Sequence, residues 1–178
     1  MKNDMTNDMT KGNPTKLILL FSIPLLIGNI FQQFYSMVDT IIVGRFVGVD
    51  ALAAVGATSS MVFLVNGFAT GLSSGFAVLV SQRFGAKDEK GLRKAVASAI
   101  TLTVISVVVI TIVSLLGAMP LLKLMNTPEN IIGDAYLYIK IIYAGVVATV
   151  AYNLIASILR ALGDSKTPLY FLIVSSVL

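Results

Sequence analysis

The sequence predicts an all-α integral membrane protein with four transmembrane helices and the start of a fifth. Of its 178 residues, 56% are hydrophobic and only 12% are charged, whereas about a quarter of the residues in a soluble domain are charged. The apolar residues form long runs that short charged segments separate, and a helix of about 20 residues crosses the hydrocarbon core of a bilayer. Such a chain is expected to form a lobe of packed transmembrane helices.

The apolar runs begin after a polar tail, residues 1–15, and continue to the end of the chain. The first run is longer than the apolar core of a signal peptide, and no small-residue cleavage pattern follows it. Residues 16–178 are therefore predicted to form one partial transmembrane lobe. Its spans are predicted at residues 16–44, 51–82, 95–116 and 135–159, with an incomplete span at 168–178.

Pro24 lies within the first predicted span. A proline inside a helix removes one backbone hydrogen bond and commonly kinks the helix. Pro24 is therefore either the site of a static kink or a hinge on which the first helix bends.

The second predicted span carries two lines of small or polar residues. Glycines at four-residue steps allow another helix to approach closely, and polar groups in lipid need a partner or water. The polar line either packs between helices or lines a cavity, with Asn66 as the cavity-lining candidate. The glycines are Gly67, Gly71 and Gly75, and the polar line consists of Asn66, Thr70 and Ser74.

The distribution of Lys and Arg predicts the orientation of the chain. Ten of the 13 Lys and Arg residues fall in the tail to Lys16, in the loop 83–94 and in the loop 160–167. Positive charge accumulates on the cytoplasmic side of membrane proteins. We therefore expect a multi-pass protein of the cytoplasmic membrane with a cytoplasmic N-terminus. Its net charge of +4 is explained by these loops, so no nucleic-acid partner is implied, and the lipid bilayer is the expected surrounding.

The chain contains no Cys and no His. This composition removes thiolate nucleophiles, the commonest metal ligands and the commonest general base. A membrane enzyme is disfavoured, because no paired acid/base or metal set can be built inside the bilayer. Neither a metal nor an organic cofactor is expected, and any proton chemistry must use carboxylates or Tyr.

Asp39 is the one acidic residue inside a long apolar segment. A charge at membrane depth costs at least about 2.5 kcal/mol on insertion scales, so such a residue is a candidate functional site. Gln32, Tyr35 and Ser36 precede it at helical spacing, share its face of the first helix and are candidates for lining a cavity. The alternative is an interface carboxylate that meets water near a helix end.

The fourth predicted span supplies two further candidates. Tyr136 and Tyr138 lie near its start, where aromatic residues suit the membrane interface. Tyr152 and Asn153 lie deeper and are candidates for lining a cavity.

Three segments of the chain resemble one family, the multidrug and toxic compound extrusion (MATE) transporters. The resemblance rests on the order and spacing of the three, which cover most of residues 16–170. The segments read MVDTIIVGRFVGVDALAAVG, SQRFGAKDEKGLRKAV and ILRALGDSKTPLY.

The resemblance implies a cation-coupled exporter of twelve helices in two lobes of six. In such proteins H⁺ or Na⁺ enters while small organic compounds, often cationic, leave. The first-helix carboxylate of the prokaryotic branch matches Asp39 by motif, which implies a coupling role in the cavity of the N-terminal lobe. Gln32, Tyr35, Tyr152 and Asn153 are cavity candidates by position.

Two other interpretations stay open. The last apolar run, eleven residues at 168–178, rises only about 16 Å as a helix, so we expect a truncated chain whose missing C-terminal helices are its partners. Alone, such a chain is expected to be a transport-incompetent membrane fragment. A lipid-linked oligosaccharide flippase of the same superfamily is disfavoured, because the predicted spans carry almost no basic residues.

Overall fold

The computed structural model describes residues 12–177, and almost all of them are helical. Most of the predicted tail therefore lies outside the described residues. A π-helical turn, Val43–Val47, follows the first helix. The helices are α1 Pro14–Ile42, α2 Val49–Gly85, α3 Glu89–Leu124, α4 Glu129–Ala144, α5 Val146–Ala161 and α6 Lys166–Val177.

The predicted fold class is confirmed. Three helical segments are long and apolar enough to cross a membrane: α1 with its π-helical turn, α2 and α3. The consecutive helices α4 and α5 pass the same test together. Helix α6 has 12 residues within the described chain.

The fourth predicted span, 135–159, is a bent pair of helices rather than one rod. The axes of α4 and α5 differ by 43°, and the break lies at Gly145, whose N–H still donates to the carbonyl groups of Ile141 and Ile142 at 3.1 Å. Glycine is a common site of sharp helix bends. The glycine was visible in the sequence, but hydropathy alone does not report a change of direction.

Helix α2 is the centre of the bundle. It packs against α3, α4 and α5, whereas α1 packs mainly on α6. Its buried residues recur at steps of three, four or seven positions and form one face, as expected for a helix with one packed side. Tyr143 of α4 lies in the same core and is only 2% exposed. The buried face of α2 consists of Ala54, Thr58, Met61, Val65, Ala69, Ser73 and Val80.

The glycine ladder of α2 lies on the opposite side from this buried face. A side-chain carbon added at Gly67, Gly71 or Gly75 would meet no described atom within 4 Å. The close helix contact that the ladder predicts is therefore not made among residues 12–177. Gly28 of α1 instead faces a neighbouring helix, because an added carbon there would contact Leu169 and Leu172 of α6.

Three helices end with the same hydrogen-bonding pattern. A residue with positive φ follows each helix: Lys87 at 56°, Asn126 at 53° and Gly163 at 88°. The N–H of the next residue then bonds back to the carbonyl five positions earlier, as in Thr127 to Leu122 at 3.1 Å. This is the Schellman motif, which satisfies carbonyl groups that the helix end leaves free.

Two aspartates each form hydrogen bonds with the end of one helix and with the start of the next. The N–H of Asp88 donates to Arg83 at 3.1 Å, while its Oδ1 accepts from the N–H of Gly91 at 2.9 Å. The N–H of Asp164 donates to Leu159 at 2.9 Å, while its Oδ1 accepts from the N–H groups of Lys166 and Thr167 at 3.0 Å. Such N-caps are worth about 1 kcal/mol each.

Replacing Gly163 by Ala is expected to destabilise the protein by about 1 kcal/mol, because a left-handed backbone costs an L-residue about 1–2 kcal/mol. Gly133→Ala is the matched control, since Gly133 lies in α4 with open space around it and alanine favours a helix. The measurement is the thermal unfolding midpoint in detergent. Equal midpoints for the two variants would contradict the assignment of Gly163 as a strained helix end.

Candidate functional site

The polar face of α1 is accessible along its whole length in the described structure. Gln32, Tyr35, Ser36 and Asp39 are all exposed, and no residue of α1 is buried. The Ser36 hydroxyl donates to the carbonyl of Gln32 at 3.1 Å, so this side chain is tied to its own helix. The other three polar side chains remain available to a partner or ligand.

The N-terminal end of this face, at Gln32, borders a cavity of about 200 Å³ between α1, α5 and α6. Four sequence candidates meet there: Pro24 and Gln32 from α1, and Tyr152 and Asn153 from α5. The Tyr152 hydroxyl donates to the carbonyl of Pro168 at 3.3 Å and so links α5 to the first turn of α6. The cavity can therefore offer amide groups and a phenol to a small polar molecule.

Arg160 also lines this cavity, whereas its position in the sequence predicts only a place in a basic loop. Arg83 and Asp88 form the one ion pair found among the described residues. No described carboxylate therefore lies within 4 Å of the Arg160 guanidinium. The nearby acid, Asp164, is buried and accepts from backbone N–H groups. Arg160 follows Asn153 by seven residues, or two helical turns. This spacing places both residues on one face of the helix, and it could have been read from the sequence.

The C-terminal end of the face carries Asp39. The carboxylate of Asp39 and the phenol of Tyr35 lie within electrostatic range of the Tyr138 phenol in α4. Tyr138 is a residue that the sequence predicted to lie at the membrane interface. Seven residues, about 10 Å of helix, separate Asp39 from Gln32 at the cavity, so the two groups of side chains form one strip along α1.

The remaining candidates lie outside this arrangement. Asn66 of α2 is partly buried and does not line the cavity between α1, α5 and α6. Helix α1 is continuous through Pro24 from Pro14 to Ile42. A hinge at Pro24 remains a prediction, as do the roles of all these side chains.

Comparison with known proteins gives consistent matches over the whole described fold. The family model MatE matches residues 24–178. The chain is 36% identical to the probable multidrug resistance protein YoeA of Bacillus subtilis over 98% of this chain and 38% of that protein. It is 37% identical to the probable multidrug resistance protein YpnP of the same organism over 96% of this chain and 38% of that protein.

A solved structure of a multidrug resistance MATE transporter in an outward-facing conformation superimposes with a TM-score of 0.89 at 30% identity. The match covers 97% of this chain and 39% of that one. A second structure, of a transporter of the same superfamily from Pyrococcus furiosus, gives the same TM-score and coverage. The chain thus spans about 38% of the length of the curated relatives it matches.

Thiol labelling can test the cavity, because the chain has no cysteine of its own. In the full-length protein, with any other cysteines replaced, Asn153→Cys is expected to react with a small hydrophilic thiol reagent at least about tenfold faster than Leu154→Cys, since exposure controls thiol reactivity. Leu154 is the matched control, adjacent in α5 but only 6% exposed. Equal rates would show that Asn153 does not line an accessible cavity.

Proposed function

This chain belongs to the MATE family, and we propose that the full-length protein exports small organic compounds, many of them cationic, in exchange for H⁺ or Na⁺. The observation that carries the proposal is the exposed Asp39 carboxylate on the apolar helix α1, where it shares one face with Gln32 and Tyr35. The described chain supplies part of one lobe, so transport requires the further helices that its longer relatives possess.

Coupling in this proposal comes from competition for one carboxylate. Ionised Asp39 attracts a cationic compound or a metal cation, and protonated Asp39 does not. A proton and a cationic compound therefore exclude one another at Asp39. The protein then carries the cationic compound in one direction of its conformational cycle and the proton in the other. Exchange requires this separation.

The cavity between α1, α5 and α6 is proposed as the inner part of the transport pathway. Pro24 lies at its border, so a bend of α1 at that residue would change the cavity volume. Amide groups from Gln32 and Asn153 can hydrogen-bond many different compounds, which suits a broad substrate range. The basic loops support the proposal that this end faces the cytoplasm.

Arg160 favours a second candidate function. A cation that lines the cavity without a described carboxylate partner would recognise a phosphate or carboxylate group. Under this alternative the full-length protein exports compounds that carry an anionic group, and a lipid-linked oligosaccharide is one member of that class.

Asp39→Asn in the full-length protein is expected to reduce drug/cation exchange at least about tenfold, because an amide neither carries charge nor takes up a proton in the working pH range. Asp50→Asn is the matched control, since Asp50 is an exposed carboxylate in the first turn of α2. The measurement is dye efflux from proteoliposomes with an imposed ion gradient. Undiminished exchange in Asp39→Asn would refute the coupling role.

Arg160→Gln separates the two candidate functions. If the substrate is cationic, loss of this charge is expected to leave export unchanged or to raise it severalfold, because a repulsive charge is removed. If the substrate is anionic, export is expected to fall about tenfold, since a charge-assisted hydrogen bond of about 1.5–3 kcal/mol is lost. Lys166→Gln is the control, an exposed cation of the same loop that does not line the cavity.

A further inference from the structure

A groove at the ends of α2 and α3 has the charge distribution of an anion site. Its volume is about 420 Å³, and its lining includes Arg83, Lys90, Lys94 and Ser98 above the apolar Leu79. We name it the cationic groove. Lys90, Lys94 and Ser98 follow one another at four-residue steps, so their side chains lie in a row along α3.

The one carboxylate in the cationic groove is already engaged. Oδ2 of Asp88 lies 3.2 Å from the Arg83 guanidinium, and its Oδ1 accepts from the N–H of Gly91. No described carboxylate lies within 4 Å of Lys90 or Lys94. The groove therefore presents two adjacent ammonium groups that no carboxylate among residues 12–177 pairs with.

A second, apolar groove lies farther along the same two helices, and no residue lines both grooves. It has a volume of about 670 Å³, and its lining includes Phe68, Ile105 and Val109, which are 60%, 55% and 54% exposed. At about 100° per residue, positions 90, 94, 98, 105 and 109 fall within about 100° of one another on α3. The cationic and apolar grooves thus lie on one side of the α2–α3 hairpin.

The distance between the two grooves matches the thickness of one leaflet. From Lys94 to Ile105 the helix rises about 16 Å, and half of the hydrocarbon core is about 15 Å thick. With α3 as a span, the cations lie at headgroup depth, and the near end of the apolar groove, at Phe68 and Ile105, lies where an acyl chain of that leaflet ends. A free phosphate would use only the first groove, whereas a phospholipid would use both.

We propose that this side of the α2–α3 hairpin binds an anionic phospholipid. Its phosphate lies between Lys90 and Lys94, with Ser98 as a hydroxyl donor, and an acyl chain runs along the hairpin to the near end of the apolar groove at Phe68 and Ile105. The proposal does not depend on transport activity or on the role of Asp39.

The test measures retained lipid on the full-length protein by native mass spectrometry, with phosphatidylglycerol and phosphatidylcholine as probes. Lys90→Gln with Lys94→Gln is expected to lower phosphatidylglycerol binding at least about tenfold, since each cation near a membrane surface contributes measurably to attraction of anionic lipid. The control is Lys87→Gln with Arg93→Gln, which removes the same charge from the same loop but outside the cationic groove. That control is expected to retain phosphatidylglycerol.

Equal losses in the two double variants would overturn the site in favour of diffuse charge attraction. Displacement of the lipid by millimolar inorganic phosphate would overturn it in favour of a simple phosphate site. Equal binding of phosphatidylcholine would also overturn it.

A second measurement uses fluorescence, because the chain has no Trp. In the full-length protein, with any other tryptophans replaced, Ile105→Trp is expected to be quenched more by phosphatidylglycerol brominated in its acyl chain than by brominated phosphatidylcholine at equal mole fraction. Leu137→Trp, on an exposed part of α4, is expected to show no such preference. Absence of quenching at Ile105 would mean that protein, not lipid, covers the apolar groove.

Discussion

The need to satisfy every backbone hydrogen bond inside hydrocarbon governs this fold. An unpaired N–H or C=O in the bilayer core costs several kcal/mol, so a spanning segment without a closed barrel must be helical. The described chain departs from helix only at short joints. At two of these joints a single aspartate, Asp88 or Asp164, bonds to the carbonyl side of one helix and to the N–H side of the next. Two of the three segments that resemble the MATE family contain such a joint.

Helix α2 shows why packing cannot be predicted from periodicity alone. It carries two stripes of small residues on opposite sides, and both have the spacing that allows close helix contact. The described structure buries the stripe that contains Ala54, Ala69 and Ser73, whereas the Gly67 to Gly75 stripe meets no described atom. Which stripe is buried depends on where α4 and α5 lie, and their positions depend in turn on contacts between residues far apart in sequence.

The same limit applies to the candidate site. The sequence predicted the fold class and the polar face of α1, because both depend on local pattern: run length for the fold, and helical spacing around Asp39 for the face. It also proposed Gln32, Tyr152 and Asn153 for a cavity, and the structure brings these three together. Arg160 and Tyr138 were missed as site residues, because their neighbours come from another helix. Within its own segment, Arg160 was explained as part of a basic loop and Tyr138 as an aromatic residue of the membrane interface.

The polar strip of α1 and the cavity at its N-terminal end carry opposite charges. Asp39 lies at the C-terminal end of the strip, and Arg160 of α5 lines the cavity that Gln32 borders. While Asp39 is ionised, these two formal charges cancel. If Asp39 is the coupling group, its protonation leaves Arg160 as the uncompensated charge, so the whole strip becomes less favourable to a cationic compound. Proton uptake would then weaken cation binding both at Asp39 and, through the longer range of charge interactions in a low dielectric, at the inner cavity.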